Sequence, residues 1–364
     1  MHKFILALII LALAGLACGG TTSQPQVPPT PQHSVFDSGR TVYGFFPSPI
    51  RVELQSVFDT YKRIGEHADV VLLQQSIPWQ DFVDSTDGES QTITDLTNQM
   101  ILCDQNGLEA IFVVDPLNGL NRREFADLPW GWEASFANPD IRSAFRNFTL
   151  RILREYHPRY LGLASEINTY ADAFPEDFPN YVSLYNEVYA AVKAESPETQ
   201  VFVTFQWEDL NNLYETANEG RTPYHTNWEL VDIFEPNLDM WVISTYPFGA
   251  FHSAMEIPDN YYTPLLTRTS KMLAVAEGGF SSEAMEPFGG SNEDQIAYLT
   301  KIHDQLGPRL AFWIYIIIND LDMSSYAPNM KKDQDTLAWF TRMGFFDIAG
   351  NPKPALEVWD RFQP

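Results

Sequence analysis

The chain of 364 residues carries 48 acidic against 23 basic side chains, a formal net charge of −25, and only two cysteines. A field of that sign repels nucleic acid, anionic lipid head groups and polyanionic sugars, and favours a neutral partner. Two cysteines exclude a disulfide-stapled scaffold, while aromatic residues at 14 % suffice for a large core or for sugar-stacking surfaces.

The N-terminal "MHKFILALIILALAGLACGG" has a basic start, an apolar run and small residues up to Cys18. Residues 1–17 read as a secretion signal, too short for a spanning helix. The stretch "AGLAC" resembles a bacterial lipobox and implies lipid attachment at Cys18; a plain signal peptide containing a cysteine is the alternative. Residues 18–35, with the Pro-rich run "QPQVPPTPQ", form a semi-extended tether. The expectation is an exported bacterial lipoprotein, periplasmic or at the cell surface, that meets the membrane only through its lipid. Residues 36–364, about 330 residues, suit one α/β barrel domain. Cys103 follows Ile93, Leu96 and Met100 at helical spacing and reads as core.

Eight short apolar runs read as strands, beginning near Val42, Val70, Ala110, Tyr160, Val201, Met240, Met272 and Leu310. Each interval leaves room for a crossover helix, and helical stripes fill several of them. Ile141, Phe145, Phe148, Ile152 and Tyr156 form one, with Asn138 as cap and Pro139 as first helical residue. Ile93 to Cys103 form another, closed by Gly107, and Ile296, Leu299, Ile302 and Leu306 a third, from Ser291 to Gly307. Eight such alternations with doubly buried strands predict a single (β/α)₈ TIM barrel. No Gly-rich phosphate loop supports an open doubly wound sheet.

In such barrels chemistry sits at the C-terminal ends of the strands. Strand two ends in "LLQQSIPW" with Gln74, Gln75 and Trp79, strand three at Asp115, and strand five in "FQWED". Glu166 and Glu277 each close an apolar run, on strands four and seven. Paired carboxyl groups over a pocket are what glycoside hydrolysis needs, one to protonate the leaving oxygen and one to attack or to activate water. Asp115, Glu208 and Asp320 also qualify by position, so the residues alone leave the pair open.

From strand three onward the sequence resembles the clan A glycoside hydrolases. The motifs that carry this are "LASEIN" at strand four, "STYPF" at strand six, "AEGGF" at strand seven, "FWIYIIIND" at strand eight and the tail "GNPKPALEVW". The endo-β-1,4-galactanase group is the nearest within that clan. The resemblance implies a retaining enzyme with Glu166 as acid/base and Glu277 as nucleophile. It also implies that Tyr246 donates a hydrogen bond to Glu277, and that Trp313 stacks on the sugar with Tyr315 sharing its inward parity. Asn168 and Asp115 fall among the substrate-binding positions. Clan members usually have an asparagine before the acid/base, bonding the sugar 2-hydroxyl, where this chain has Ser165. Some mannan-cleaving relatives also lack that asparagine.

Trp79, Trp130, Trp132 and Trp207 lie in loops or strand ends at the catalytic face and are expected as sugar platforms. Trp241, Trp339 and Trp359 are expected in the core. No HxH pair occurs among the seven histidines, so neither metal nor cofactor is expected. The expectation is a monomeric, exported, endo-acting glycosidase for a neutral β-linked polysaccharide. A non-catalytic glycan-binding lipoprotein on the same scaffold is the alternative.

Overall fold

The computed structural model describes residues 34–214, 220–330 and 333–363. The signal sequence, Cys18 and most of the tether lie outside the described residues. The strands are β1 (Val42–Phe46), β2 (Val70–Ser76), β3 (Glu109–Asp115) and β4 (Tyr160–Gly162), then β5, split by Val203 into Gln200–Phe202 and Thr204–Gln206. β6 (Met240–Thr245), β7 (Met272–Gly278) and β8 (Leu310–Ile317) follow. Neighbouring barrel strands pair in parallel. The sheet order begins with one half of β5 and ends with the other, so the sheet closes on itself. The expected (β/α)₈ barrel is the observed fold.

The crossovers follow the local signals. The helix Pro139–Tyr156 is capped by the Asn138 side chain, which accepts from the Asp140 N–H, with Pro139 in its first turn. Gln91–Asn106 ends at Gly107 in the left-handed region, φ 69°. Gly307 behaves differently: the helix Asn292–Leu306 runs on through it into a 3₁₀ turn, Gly307–Arg309, at φ −36°. Around β6 the crossovers shrink to the short helices Glu229–Asp232 and Thr263–Arg268. Among the described residues no helix is long and apolar enough to cross a membrane.

Phe312 packs across the barrel interior on Tyr160 and Phe202, with ring centroids 5.2 and 5.9 Å away. Below them Phe36 meets Tyr160 edge-on at 5.1 Å. Phe36 belongs to the turn Val35–Asp37, held by bonds from Ser34 Oγ and the Val35 N–H to the Glu109 carboxylate at 2.7 and 2.6 Å. Ser34 and Val35, which the sequence reading places in the tether, therefore belong to the packed barrel.

Strand alternation corrects one expectation. With Phe312 inside, Trp313 and Tyr315 point outward. Trp313 packs on Trp359 (5.2 Å) and Tyr43 (6.1 Å), and Tyr315 on Phe345 (4.3 Å) and Tyr298 (6.1 Å), both fully buried under the helical layer. Neither can touch a ligand at the barrel mouth. Cys103 is a buried free thiol, pushed up by burial, as a core position implies.

Gly44 lets β1 and β2 meet. A Cβ there would lie 2.6 Å from the Val70 carbonyl oxygen and 2.7 Å from Ile314 Cδ1. Gly44→Ala is expected to lower stability by about 1–3 kcal/mol through overpacking, read as a lower urea midpoint with unchanged slope.

Candidate active site

The site is built around a side chain that sequence reasoning missed. After β3 the chain turns into a hairpin, Leu117–Asn118 against Asn121–Phe125. Its base is fixed by the Leu117 N–H, which donates to Asp115 Oδ1 at 3.1 Å, and by Trp79 Nε1, which donates to the Ala126 carbonyl at 2.7 Å. The hairpin holds Arg122 over the barrel mouth, buried. Its Nη1 donates to Asp115 Oδ2, its Nε donates to Glu166 Oε2 at 3.0 Å, and its Nη2 lies 3.6 Å from Glu277 Oε1. One guanidinium thus meets carboxylates from β3, β7 and the turn after β4.

Glu166 sits in a backbone conformation that L-residues rarely adopt, φ 50° and ψ 43°, between β4 and the helix Ile167–Ala173. Such strain costs on the order of 1–3 kcal/mol and persists where the surroundings impose it. Here its N–H donates to Thr204 Oγ1 at 2.7 Å, and Ser244 Oγ donates to Oε1 at 2.6 Å. Both oxygens of Glu166 are therefore held. Glu277 is held less: its buried Oε2 has no hydrogen-bond partner among the described residues, and neither does Arg122 Nη2.

This arrangement sets the charges. Burial, then the neighbouring Glu166 charge, pushes the Glu277 carboxyl well above the usual carboxylate range, against the pull of Arg122. Burial also raises Asp115, which Arg122 partly offsets. For Arg122, burial works against the charge, but Asp115, Glu166 and Glu277 outweigh it, and its pKa lies above that of a free guanidinium. Three carboxyl groups around one cation leave more negative than positive charge in a buried site, which disfavours ionisation of Glu277.

Glu166, Glu277 and Arg122 open onto a cavity of about 1010 Å³. One wall is aromatic, with Tyr246, Phe248, Phe288, Trp339 and Phe340; the other is polar, with Thr169, Asp172, Gln206 and Asp209. Phe340 packs edge-on to Tyr246 at 5.2 Å, and Trp339 likewise to Phe288 at 5.2 Å. Trp339, expected in the core, is thus a wall of the cavity. It stands beyond β8, where the resemblance had pointed to Trp313.

Several expected contacts are not made. Tyr246 lines the cavity but forms no hydrogen bond to Glu277. Burial, then the charges of Glu277 and Glu166, raises its phenol, which stays a proton donor. Ser165 is buried with Oγ 3.1 Å from Thr204 Oγ1, so its hydroxyl does not face the cavity. Asn168 ties its helix to β5, donating to the Gln206 carbonyl and Asp209 Oδ2 and accepting from the Gln206 N–H. Asp115 stands behind Arg122, also receiving Gln74 Nε2 at 2.7 Å. Glu208 is consumed by Thr245, Tyr261, Gln206 and the Tyr246 N–H, and Asp320 by Lys353.

The expected loop platforms also fall elsewhere. Trp79 is buried beneath the hairpin against Phe125, and Trp207 is buried on Trp228 and Tyr261. Trp132 packs half-buried on the core, and Trp130 stands 98 % exposed outside the cavity lining. Backbone geometry, not residue type, decides these placements. Ser244 had a visible signal, sharing inward parity with Tyr246 two residues on. Arg122 had none, because a loop arginine carries no periodicity.

No family model matches the sequence, and no curated protein matches it. Solved structures do. The exo-β-1,4-mannosidase of Opitutaceae bacterium strain TAV5 aligns with a TM-score of 0.62 and 14 % identity over 89 % of this chain and 59 % of that one. The chain therefore spans less than two thirds of that relative's length. GH5_18 from Bifidobacterium longum subsp. longum aligns with a TM-score of 0.63 and 15 % identity, over 88 % of this chain and 78 % of that one. A fungal β-1,4-galactanase aligns with a TM-score of 0.57 and 16 % identity, over 88 % and 99 %. At these identities the likeness establishes the barrel fold.

Removing Arg122 would leave buried carboxyl groups without their cation. Arg122→Met is expected to cost about 3–5 kcal/mol in urea unfolding, and adding Glu277→Gln to recover part of the loss.

Proposed function

We propose that the protein is a retaining glycoside hydrolase for a neutral β-linked glycan. The observation that carries this reading is the convergence of Glu166 and Glu277 on Arg122 at the floor of a cavity with one aromatic and one polar wall. Two carboxyl groups holding one proton between them are what the reaction requires. Glu277 attacks the anomeric carbon while Glu166 gives its proton to the leaving oxygen, and the glycosidic bond breaks. Water, deprotonated by Glu166, then displaces Glu277 and releases the sugar with its original configuration.

Attack requires the proton on Glu166 and a charge on Glu277, whose carboxyl is raised by burial and by the Glu166 charge. Arg122, touching both, can compensate whichever is ionised. The raised Glu277 carboxyl, beside a Glu166 bonded to Arg122 Nε, also favours a second reading in which Glu277 is the acid and Glu166 the nucleophile. The aromatic wall suits the apolar faces of sugar rings. The cavity lies at the upper end of the range for small-molecule sites, about 300–1,000 Å³, which suits several sugar units and an endo mode of action. The excess of acidic residues favours a neutral glycan. The "AGLAC" motif and the tether support an exported lipoprotein anchored at Cys18, which we take to act as a monomer. The similar structures carry the names of a mannosidase and a galactanase, which makes β-mannans and β-galactans the first glycans to try.

Incubation with a glycan panel is expected to produce new reducing ends; binding without cleavage would establish the non-catalytic alternative. Glu277→Gln is expected to lose about three or more powers of ten in kcat. With azide and an aryl β-glycoside, Glu166→Ala is expected to yield the β-glycosyl azide and Glu277→Ala the α-azide. The opposite pattern would reverse the two roles. Trp339→Ala is expected to raise KM about ten-fold with a smaller change in kcat, as loss of a stacking ring should.

A further inference from the structure

The polar wall contains a carboxyl group that the hydrolytic scheme leaves unused. Asp209 lies in the short helix Trp207–Leu210 after β5 and lines the cavity. Its Oδ2 is held by Asn168 Nδ2 at 2.8 Å and Thr169 Oγ1 at 3.3 Å, both on the helix that follows Glu166. Its own N–H donates to Gln206 Oε1 at 2.6 Å, which fixes the backbone. Oδ1 accepts no hydrogen bond from any described residue, yet it is not among the sealed, partnerless atoms. One oxygen is thus locked, and the other is presented to the cavity as an acceptor.

Its place on the ring of strands says what it meets. Asp209 stands at the end of β5, on a wall shared with the helix behind Glu166, two strands round from the Glu277 strand. If Glu277 faces the anomeric carbon, Glu166 faces the leaving oxygen, and the wall bonded to the helix that follows Glu166 faces the sugar that departs.

We propose that Asp209 is a specificity-determining residue, its open Oδ1 accepting a hydrogen bond from a hydroxyl of the sugar on the leaving-group side of the cleaved bond. This rests on the reading of Glu166 and Glu277 as the hydrolytic pair. The charged and titratable groups around Asp209 come from three elements. Asp172 and Glu166 stand on and before the Ile167–Ala173 helix, and Arg221 and Tyr214 on the segment after β5. Glu208, beside it in sequence, turns away to Thr245 and Tyr261. Arg221 is bound to Asp172 in a two-pronged ion pair at 2.7 and 2.6 Å, so it offsets the burial of Asp209 only in part. Burial, then the Asp172 charge, pushes the Asp209 carboxyl up to about 7. Above that pH the group is a charged acceptor; below it, a weaker neutral one.

The test compares an oligosaccharide that the protein cleaves with an aryl glycoside of the same glycon, which has no leaving-group sugar. For the wild-type protein, the ratio of kcat/KM on oligosaccharide to that on aryl glycoside is expected to rise as pH passes through about 7. Asp209→Asn is expected to raise KM for the oligosaccharide about ten-fold, with kcat changing less, and to flatten that pH dependence of the ratio. An unchanged ratio, or equal losses on both substrates, would overturn the assignment. Should Asp209→Asn fail to fold, Thr169→Val, which removes one of the two bonds that hold Oδ2 and so loosens the carboxyl group, must shift the ratio in the same direction, and no shift would also overturn it. Wild-type turnover by Glu277→Gln would instead overturn the hydrolytic reading itself, so the two failures are distinguishable.

Discussion

One guanidinium shared by three buried carboxyl groups is the constraint on which the site depends. Arg122 cannot leave water without partners of opposite charge, and Asp115, Glu166 and Glu277 cannot be buried together without a cation. Each partner comes from a different part of the barrel, so satisfying the cluster locks β3, its hairpin, the turn after β4, and β7 into one geometry. Trp79, buried beneath the hairpin, matters for the same reason: its bond to the Ala126 carbonyl sets where Arg122 can stand.

The cluster is deliberately unequal. Glu166 has a partner on each oxygen, whereas Glu277 has one oxygen with no partner among the described residues and a longer approach from Arg122. An unpartnered buried oxygen is costly, so its persistence is itself an argument for function. Strain points the same way at Glu166, whose left-handed backbone is held by Thr204 across the junction with β5. A side chain aimed into a cavity from a strained turn is one that the fold positions at the expense of local stability.

The aromatic residues divide between two tasks by geometry. One set, Trp313, Tyr315, Trp359 and Phe345, fills the layer between barrel and helices. Another set, Tyr246, Phe248, Phe288, Trp339 and Phe340, packs edge-to-face on itself and presents a wall to the cavity. Opposite it, the polar wall carries Asp209, whose open Oδ1 can meet a hydroxyl. A cavity with one face for ring stacking and one for hydrogen bonding is chemically matched to a sugar, which has both.

The sequence by itself determined the barrel. Apolar runs separated by amphipathic stripes and capping residues locate all eight strands to within a residue of where they begin, because local burial and capping are written at short range. Glu166 and Glu277 were legible as two of several acids that end such runs, and only the motifs around them singled them out from Asp115, Glu208 and Asp320. What only the tertiary structure decided was which way side chains face and which loops meet. In "FWIYIIIND" every residue is apolar up to the asparagine, so no alternation marks the inner face, and closure of the barrel alone sends Phe312 in and Trp313 out. Trp339 reached the cavity and Trp207 left it for the same reason. Arg122 was invisible because its partners, Asp115, Glu166 and Glu277, are brought around it only when the barrel closes, and a charge in a loop has no meaning until its counter-charges arrive.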